Sequence, residues 1–334
     1  MEFGVIPNWS WPVDGDPAAQ MERTLEQAKV TVDSGYDAVW FGQHYISEGN
    51  NHFQPLPLLS RVASFAGDVD LGTSIFLLPL HNPVAVAENF ATADAMFDGS
   101  LKFGVALGYK PEEFDSFGID MDDRLGRFVE GIQLLRALWT EENVSYSGQY
   151  FDVDDVTIDP RPGDDLEFWL GANAEKSAER AGRMGDGWII SARTTFEEAK
   201  RLSSIYEDAV GEQAEAGIAM NREVYVADTT EEAVETVKPM MKQRVSHWLD
   251  RGAQDTAEQV DDIDEQVHDM LEERFVGDAE EVIDRIATYH ENVGVDHVIA
   301  MYNWRDLSQG EVLDSIEQFG EEVIPYFEDE YADL

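Results

Sequence analysis

Cysteine is missing altogether from the 334 residues. That excludes a disulfide framework, thiolate nucleophiles and thiolate-bound metal. Long apolar runs are missing too, and none approaches the roughly 18–20 residues that a membrane-spanning helix needs. Basic residues are scarce, with 23 Lys and Arg against 69 Asp and Glu, and only seven of the 23 are Lys. The resulting net charge of −46 makes nucleic acid and anionic membranes poor partners. In dilute buffer such a chain repels itself. At molar salt the Debye length falls to about 3 Å and the repulsion is screened. The acids are spread along the whole chain, which fits a halophile-type cytoplasm of very high salt. Disorder is the other reading of high charge, but the aromatic content of 11% and the regular apolar runs oppose it. The N-terminal MEFGVIPNW lacks the basic-then-apolar order of a leader, so a cytoplasmic protein is expected.

Several catalytic signatures are absent as well. No H-x-H stands at an expected strand end, and the seven His are scattered, which leaves no basis for a metal centre. There is no G-x-S-x-G for a hydrolase nucleophile. The first strand exits into Pro7-Asn8-Trp9 and not into G-x-G-x-x-G, which discounts a dinucleotide-binding doubly wound sheet.

What is present is an alternation of buried strands and capped helices. It is clearest from Asp70 to Tyr109. DLGTSIFLL reads as a strand, Asn82-Pro83 as a cap with Pro at the first helical position, Ala85 to Phe97 as a helix, and LKFGVAL as a second strand. Such a unit is a right-handed crossover between parallel strands. Further strands are expected at 2–7, 37–42, 166–172, 188–191, 222–228 and 296–302, making eight in all. Thr195 with Glu198, and Thr229 with Glu232, have capping-box spacing, and Asp278 with Glu281 caps another helix. No linker divides the chain, so the expectation is one α/β domain over 1–334, a (β/α)8 TIM barrel with insertions. The insertions are a hairpin at about 144–158 and an acidic helical segment at about 229–277.

Barrel chemistry sits at the C-terminal ends of the strands. Those ends offer Gln43, His44 and Tyr45; Ser74; Leu107, Gly108 and Tyr109, with Arg124 just beyond; Ala172 and Asn173; Ser191 and Arg193; and Tyr302, Asn303 and Trp304. GANAEKSAERAG opens a helix after the fifth strand. Its small residues let a phosphate approach free backbone amides, with Arg124 as a clamp. An ordinary helix cap, with Arg124 on the surface, is the alternative. Trp9, Trp11, Tyr109 and Trp304 offer either an apolar pocket or packing at the barrel rim.

Five ordered segments resemble the bacterial luciferase-like monooxygenases. They are VWFGQHY, LGTSIFLLPLHNPVAVAENFATAD, FGVALGYKPEEFDSFGIDMDDR, FWLGANAEKSAERAGRMGDGW and VGDAEEVIDRIATYHENVGVDHV. The resemblance implies a flavin-dependent oxidoreductase using reduced FMN and O2 on a small organic substrate. It also implies a separate flavin reductase and a homodimer. His44 matches the family's active-site His, suited to proton management near pH 7. Ser74-Ile75 matches the site of a non-prolyl cis peptide that supports the ring. The cofactor would then touch Ser74, Ile75, Leu107, Tyr109, Arg124, Ala172, Asn173 and Ser191. The chain departs from the family at Ala106 and Leu107, where luciferases carry Cys and a phosphate-binding Arg. It departs again at Gln43 and Tyr45, where an acid and a second His are commoner. Two alternatives accompany this reading. One is hydride transfer with the deazaflavin coenzyme F-420, whose acidic tail asks for more cations than are found. The other is a flavin-binding protein without turnover.

Overall fold

The computed structural model describes residues 1–163, 166–211, 217–250 and 263–330. Eight strands form a closed parallel ring: β1 (Glu2–Ile6), β2 (Ala38–Phe41), β3 (Asp70–Thr73), β4 (Leu101–Val105), β5 (Glu167–Gly171), β6 (Gly187–Ile190), β7 (Gly217–Val226) and β8 (His297–Met301). They pair in chain order. The ring closes where Glu2–Ile6 lies in register with His297–Met301. Helices surround it, so the expected (β/α)8 barrel is the observed fold. Among the described residues, no helix is long and apolar enough to cross a membrane.

Two cores result from the alternation of side chains along each strand. Inward-facing Ile6, Ala38, Trp40, Trp169, Ile189, Ala219 and Ile299 fill the barrel, with Trp40 edge-on to Trp169 at 6.5 Å. Outward-facing residues such as Phe3, Val5, Phe103, Phe168 and Trp188 pack under the helices. The crossover helix runs over Pro83–Asp94 and is capped by Asn82, whose Oδ1 accepts from the Val84 amide at 2.9 Å. β3 is shorter than DLGTSIFLL implies. It ends at Thr73, the Ser74-Ile75 peptide is cis, and Phe76 rejoins Val105 through a single bridge.

The seventh strand lies upstream of the expected 222–228. It spans Gly217–Val226, and the preceding helix ends at Val210; residues 212–216 lie outside the described residues. Arg222 and Glu223 open the expected strand and Asn221 falls just before it, and all three sit within the observed one. Arg222 is buried because it donates to the carbonyls of Ala192 and Thr194 and to the Tyr289 hydroxyl. Glu223 is buried between Arg244 and Arg274. Each buried charge is hydrogen-bonded, which is the condition for holding it there.

Val144–Ser147 and Asp152–Val156 form an antiparallel hairpin. Thr230–Asp250 and Ile263–Glu272 are helices that enclose their own small core, including Val237, Met241, Val267 and Leu271. Trp304 belongs to that core, with its Nε1 donating to the Val224 carbonyl at 2.7 Å. Residues 251–262 of this segment lie outside the described residues.

The N-terminal end of the barrel is closed by charge. Lys102 is 5% exposed and lies 2.8 Å from Glu2, 3.3 Å from Asp70 and 3.7 Å from Glu167. His297 bridges Glu2 and Asp296 at 2.8 and 2.7 Å.

Candidate active site

A cavity of about 450 Å³ opens at the C-terminal end of the barrel, a size within the range typical of small-molecule sites. A larger cleft, about 560 Å³, lies at the opposite end beside Lys102. Its central charges already satisfy one another, so the chemistry is sought at the mouth.

His44 leaves β2 on the loop that follows Phe41. Its Nδ1 lies 3.0 Å from Oε1 of Glu113, and the same oxygen accepts from the Tyr45 amide at 2.8 Å. Glu113 stands on the short helix Pro111–Phe117 and is almost wholly buried; its Oε2 is buried without a partner. Glu113 Oε1 accepts both bonds, which puts the His44 proton on Nδ1. Nε2, with no protein partner among the described residues, then keeps its lone pair. Burial and the nearby Lys110 push the His44 pKa below its usual 6.5, against the pull of Glu113. His44 is therefore neutral near pH 7. Trp9 stacks on it at 6.1 Å, and Tyr109 meets it edge-on at 5.8 Å. His52 sits 6.0 Å from His44, and burial, then His44 and Lys110, push its pKa down to about 4. Among the described residues, no group of acidic and imidazole side chains is arranged to hold a metal.

Gln43 pins the floor. Its amide N–H donates to the Ile75 carbonyl at 3.1 Å. Its side-chain oxygen accepts from the Leu77 amide at 2.9 Å and lies 3.1 Å from His81 Nε2. Its side-chain nitrogen donates to the Tyr45 hydroxyl at 3.1 Å. Burial pushes the His81 pKa down to about 4, so a neutral amide and a neutral imidazole meet here. Ser74 donates to Asn221 Oδ1 at 3.0 Å, tying the cis turn to β7. A Cβ on Gly171 would come within 2.3 Å of Ile75 Cδ1, so a larger residue there would displace the Ile75 side chain.

Of the residues expected from sequence, His44, Ser74, Ile75, Tyr109, Asn173 and Ser191 line the cavity. Leu107, Arg124 and Ala172 do not. Leu107 packs against the outer core, because Gly108, at φ +77°, turns the chain between it and Tyr109. Ala172 is buried, with its carbonyl accepting from Trp188 Nε1 at 3.0 Å. The Arg124 guanidinium donates to the Met121 carbonyl at 2.7 Å, closing the turn before its own helix. The cation in the lining is Arg193, whose amide donates to Ser191 Oγ at 3.3 Å. Among the described residues, no carboxylate lies within ion-pair distance of its guanidinium. Of the four expected aromatics, Trp9 and Tyr109 line the cavity. Trp11 instead donates to the Asn8 carbonyl and the Thr24 hydroxyl. Glu113 and Asn221 were not singled out from sequence. Glu112 and Glu113 are indistinguishable there, and Asn221 appeared to precede its strand.

Fold and mouth together define an α/β barrel with a partly polar cavity at the C-terminal ends of its strands. The family model described as Luciferase-like monooxygenase matches residues 1–297, and the chain belongs to that family. It is an oxidoreductase of a family that includes both deazaflavin-dependent dehydrogenases and FMN monooxygenases. An F420-dependent glucose-6-phosphate dehydrogenase of Nakamurella multipartita is 26% identical over 88% of each chain. Monooxygenase RslO1 from Streptomyces bottropensis superposes with a TM-score of 0.85 at 23% identity, over 98% of this chain and 100% of that one. The oxygenating constituent of 3,6-diketocamphane monooxygenase of Pseudomonas putida, a structure in complex with FMN, gives 0.78 at 18% identity, over 97% and 98%.

Proposed function

We propose that the protein is an FMN-dependent monooxygenase, taking reduced FMN from a separate reductase and using O2 to oxygenate a small organic substrate. One oxygen atom enters the substrate and the other leaves as water. The observation that carries the reading is the charge of the lining. Among the described residues that line the cavity, Arg193 is the one Lys or Arg. One cation beside Ser191 and Asn173 matches a single terminal phosphate. The deazaflavin, with a phosphodiester and a multiply acidic tail, calls for more cations in a molecule of net charge −46.

The residues present fit FMN. The cis Ser74-Ile75 turn, Ala106 and Gly171 offer a floor for a planar ring, while Asn173, Ser191 and Arg193 offer donors for the phosphate. Bound reduced FMN would supply two electrons and the reaction with O2. His44 would accept or return a proton at Nε2, held in its tautomer by Glu113. Trp9 and Tyr109 would keep water from His44. The acidic surface favours working at high salt, and a homodimer in the cytoplasm is part of the same proposal.

Arg193→Gln is expected to weaken FMN binding about tenfold, the scale of a charge-assisted contact at an exposed side chain. Riboflavin, which lacks the phosphate, should bind the variant and the wild type alike. Fluorescence-quenching titrations in molar KCl read both. Equal losses for the two flavins would remove Arg193 from the phosphate site. Absence of FMN binding to the wild type would remove the function.

A further inference from the structure

We infer that the substrate is a planar, aromatic compound with an anionic group, and that Lys110 holds this group at the rim of the cavity. The inference rests on the FMN reading, because it assigns the second of two cations after Arg193 has taken the phosphate. Lys110 follows Tyr109 on the β4 exit. Its Nζ donates to Ser47 Oγ at 3.3 Å, on the loop that leaves β2. Among the described residues no carboxylate lies within 4.0 Å of it, although acids outnumber bases by 69 to 23. Arg193 stands on the exit of β6, two strands from β4 in a ring of eight, and its charge, like that of Lys110, also reaches His44. The two cations thus stand on separate strand exits around one mouth, and the proposed phosphate takes only one of them.

The space beside Lys110 is built for a flat ring. Trp9 and Tyr109 line it, with Trp9 stacked on His44 and Tyr109 edge-on to it. Tyr109 is 56% exposed among the described residues. Aromatic faces favour an arene, and an ammonium without a counter-charge favours an anion. Lys110 also lowers the pKa of both His44 and His52, so its charge is felt inside the compartment. An anion bound there would be turned toward neutral His44, the residue proposed to handle the proton.

The test is calorimetric titration of the full-length protein with benzoate and with benzyl alcohol, at the lowest KCl concentration that keeps it folded. Benzoate is expected to bind about tenfold more tightly than benzyl alcohol. Lys110→Gln should abolish that preference, and Lys110→Arg should retain it. FMN and riboflavin titrations of the same variants form the second arm, and Lys110→Gln should leave both unchanged. A wild type that binds the two probes equally overturns the inference. So does a Lys110→Gln variant that loses FMN but not riboflavin, since the cation then belongs to the phosphate. Failure of wild-type FMN binding is read separately and rejects the flavin reading itself.

Discussion

Replacing His44 with Ala is expected to lower turnover by about 10²–10⁴-fold, the range for loss of a positioned acid–base group, while flavin affinity changes little. The geometry explains the separation. His44 spends Nδ1 on Glu113 and leaves Nε2 free, so its imidazole is oriented for proton transfer and not for holding a ligand. Its pKa is set mainly by burial and Lys110, both of which lower it. The base form therefore persists below pH 6.5. The acid limb of the rate profile should lie on the acidic side of that value, with activity lost as falling pH protonates Nε2. Glu113→Gln offers a sharper version. A Gln side chain can present its N–H to Nδ1, which favours the wrong tautomer while preserving the packing. Its expected signature is a lowered kcat at unchanged flavin affinity and a shifted acid limb. Equal turnover in His44→Ala and wild type would remove His44 from the chemistry.

Lys102→Met is expected to destabilise the fold by about 2–3 kcal/mol, less than for a fully buried pair because Glu2 and Glu167 are each 43% exposed. Lys102 is buried among Glu2, Asp70 and Glu167, so its loss leaves three carboxylates facing one another. Burial pushes the Glu2 carboxyl up, but His297 and Lys102 override it and hold the pKa at about 2. That depressed value contributes stability above pH 4.5, lost as pH falls toward 2. Burial pushes His297 down, but Asp296 and Glu2 override it and raise its pKa. That contribution is complete below pH 6.5 and is lost as pH rises through the raised value. Both are present between 4.5 and 6.5. Burial raises Asp70, whose protonation in acid offsets part of the Glu2 loss. In Lys102→Met the bare carboxylates should titrate at higher pH. The variant's deficit should therefore shrink between pH 7 and pH 4. Urea denaturation in molar KCl across that range measures it; a deficit independent of pH would mean packing, not charge, sets the cost.

Much of the barrel is legible in the sequence because it depends on local rules. Asn82-Pro83 starts its helix by capping and fixed φ, and Thr195 with Glu198 closes a capping box. The start of β7 was missed because Gly217 and Asn221 punctuate the run before Arg222, and the burial of Arg222 and Glu223 depends on partners distant in sequence. At the site, strand ends pointed to His44, Ser74 and Ser191, since period-2 alternation and barrel direction are enough to place them. The small-residue helix start after β5 pointed to Arg124 as the phosphate clamp, but that guanidinium closes its own turn, and Arg193, also offered by its strand end, stands on the cavity instead. Glu113 is a different case. Its role comes from a long-range contact with His44, and no local pattern separates it from Glu112.

The central claim is that this mouth holds reduced FMN in preference to the deazaflavin. Anaerobic equilibrium titration of the purified chain with each reduced cofactor, in molar KCl, tests it most directly. Reduced FMN is expected to bind at least about tenfold more tightly, because Arg193 is the one Lys or Arg among the described lining residues and a multiply acidic tail would meet a molecule of net charge −46. Tighter binding of the reduced deazaflavin would contradict the assignment and make the protein a hydride-transfer enzyme.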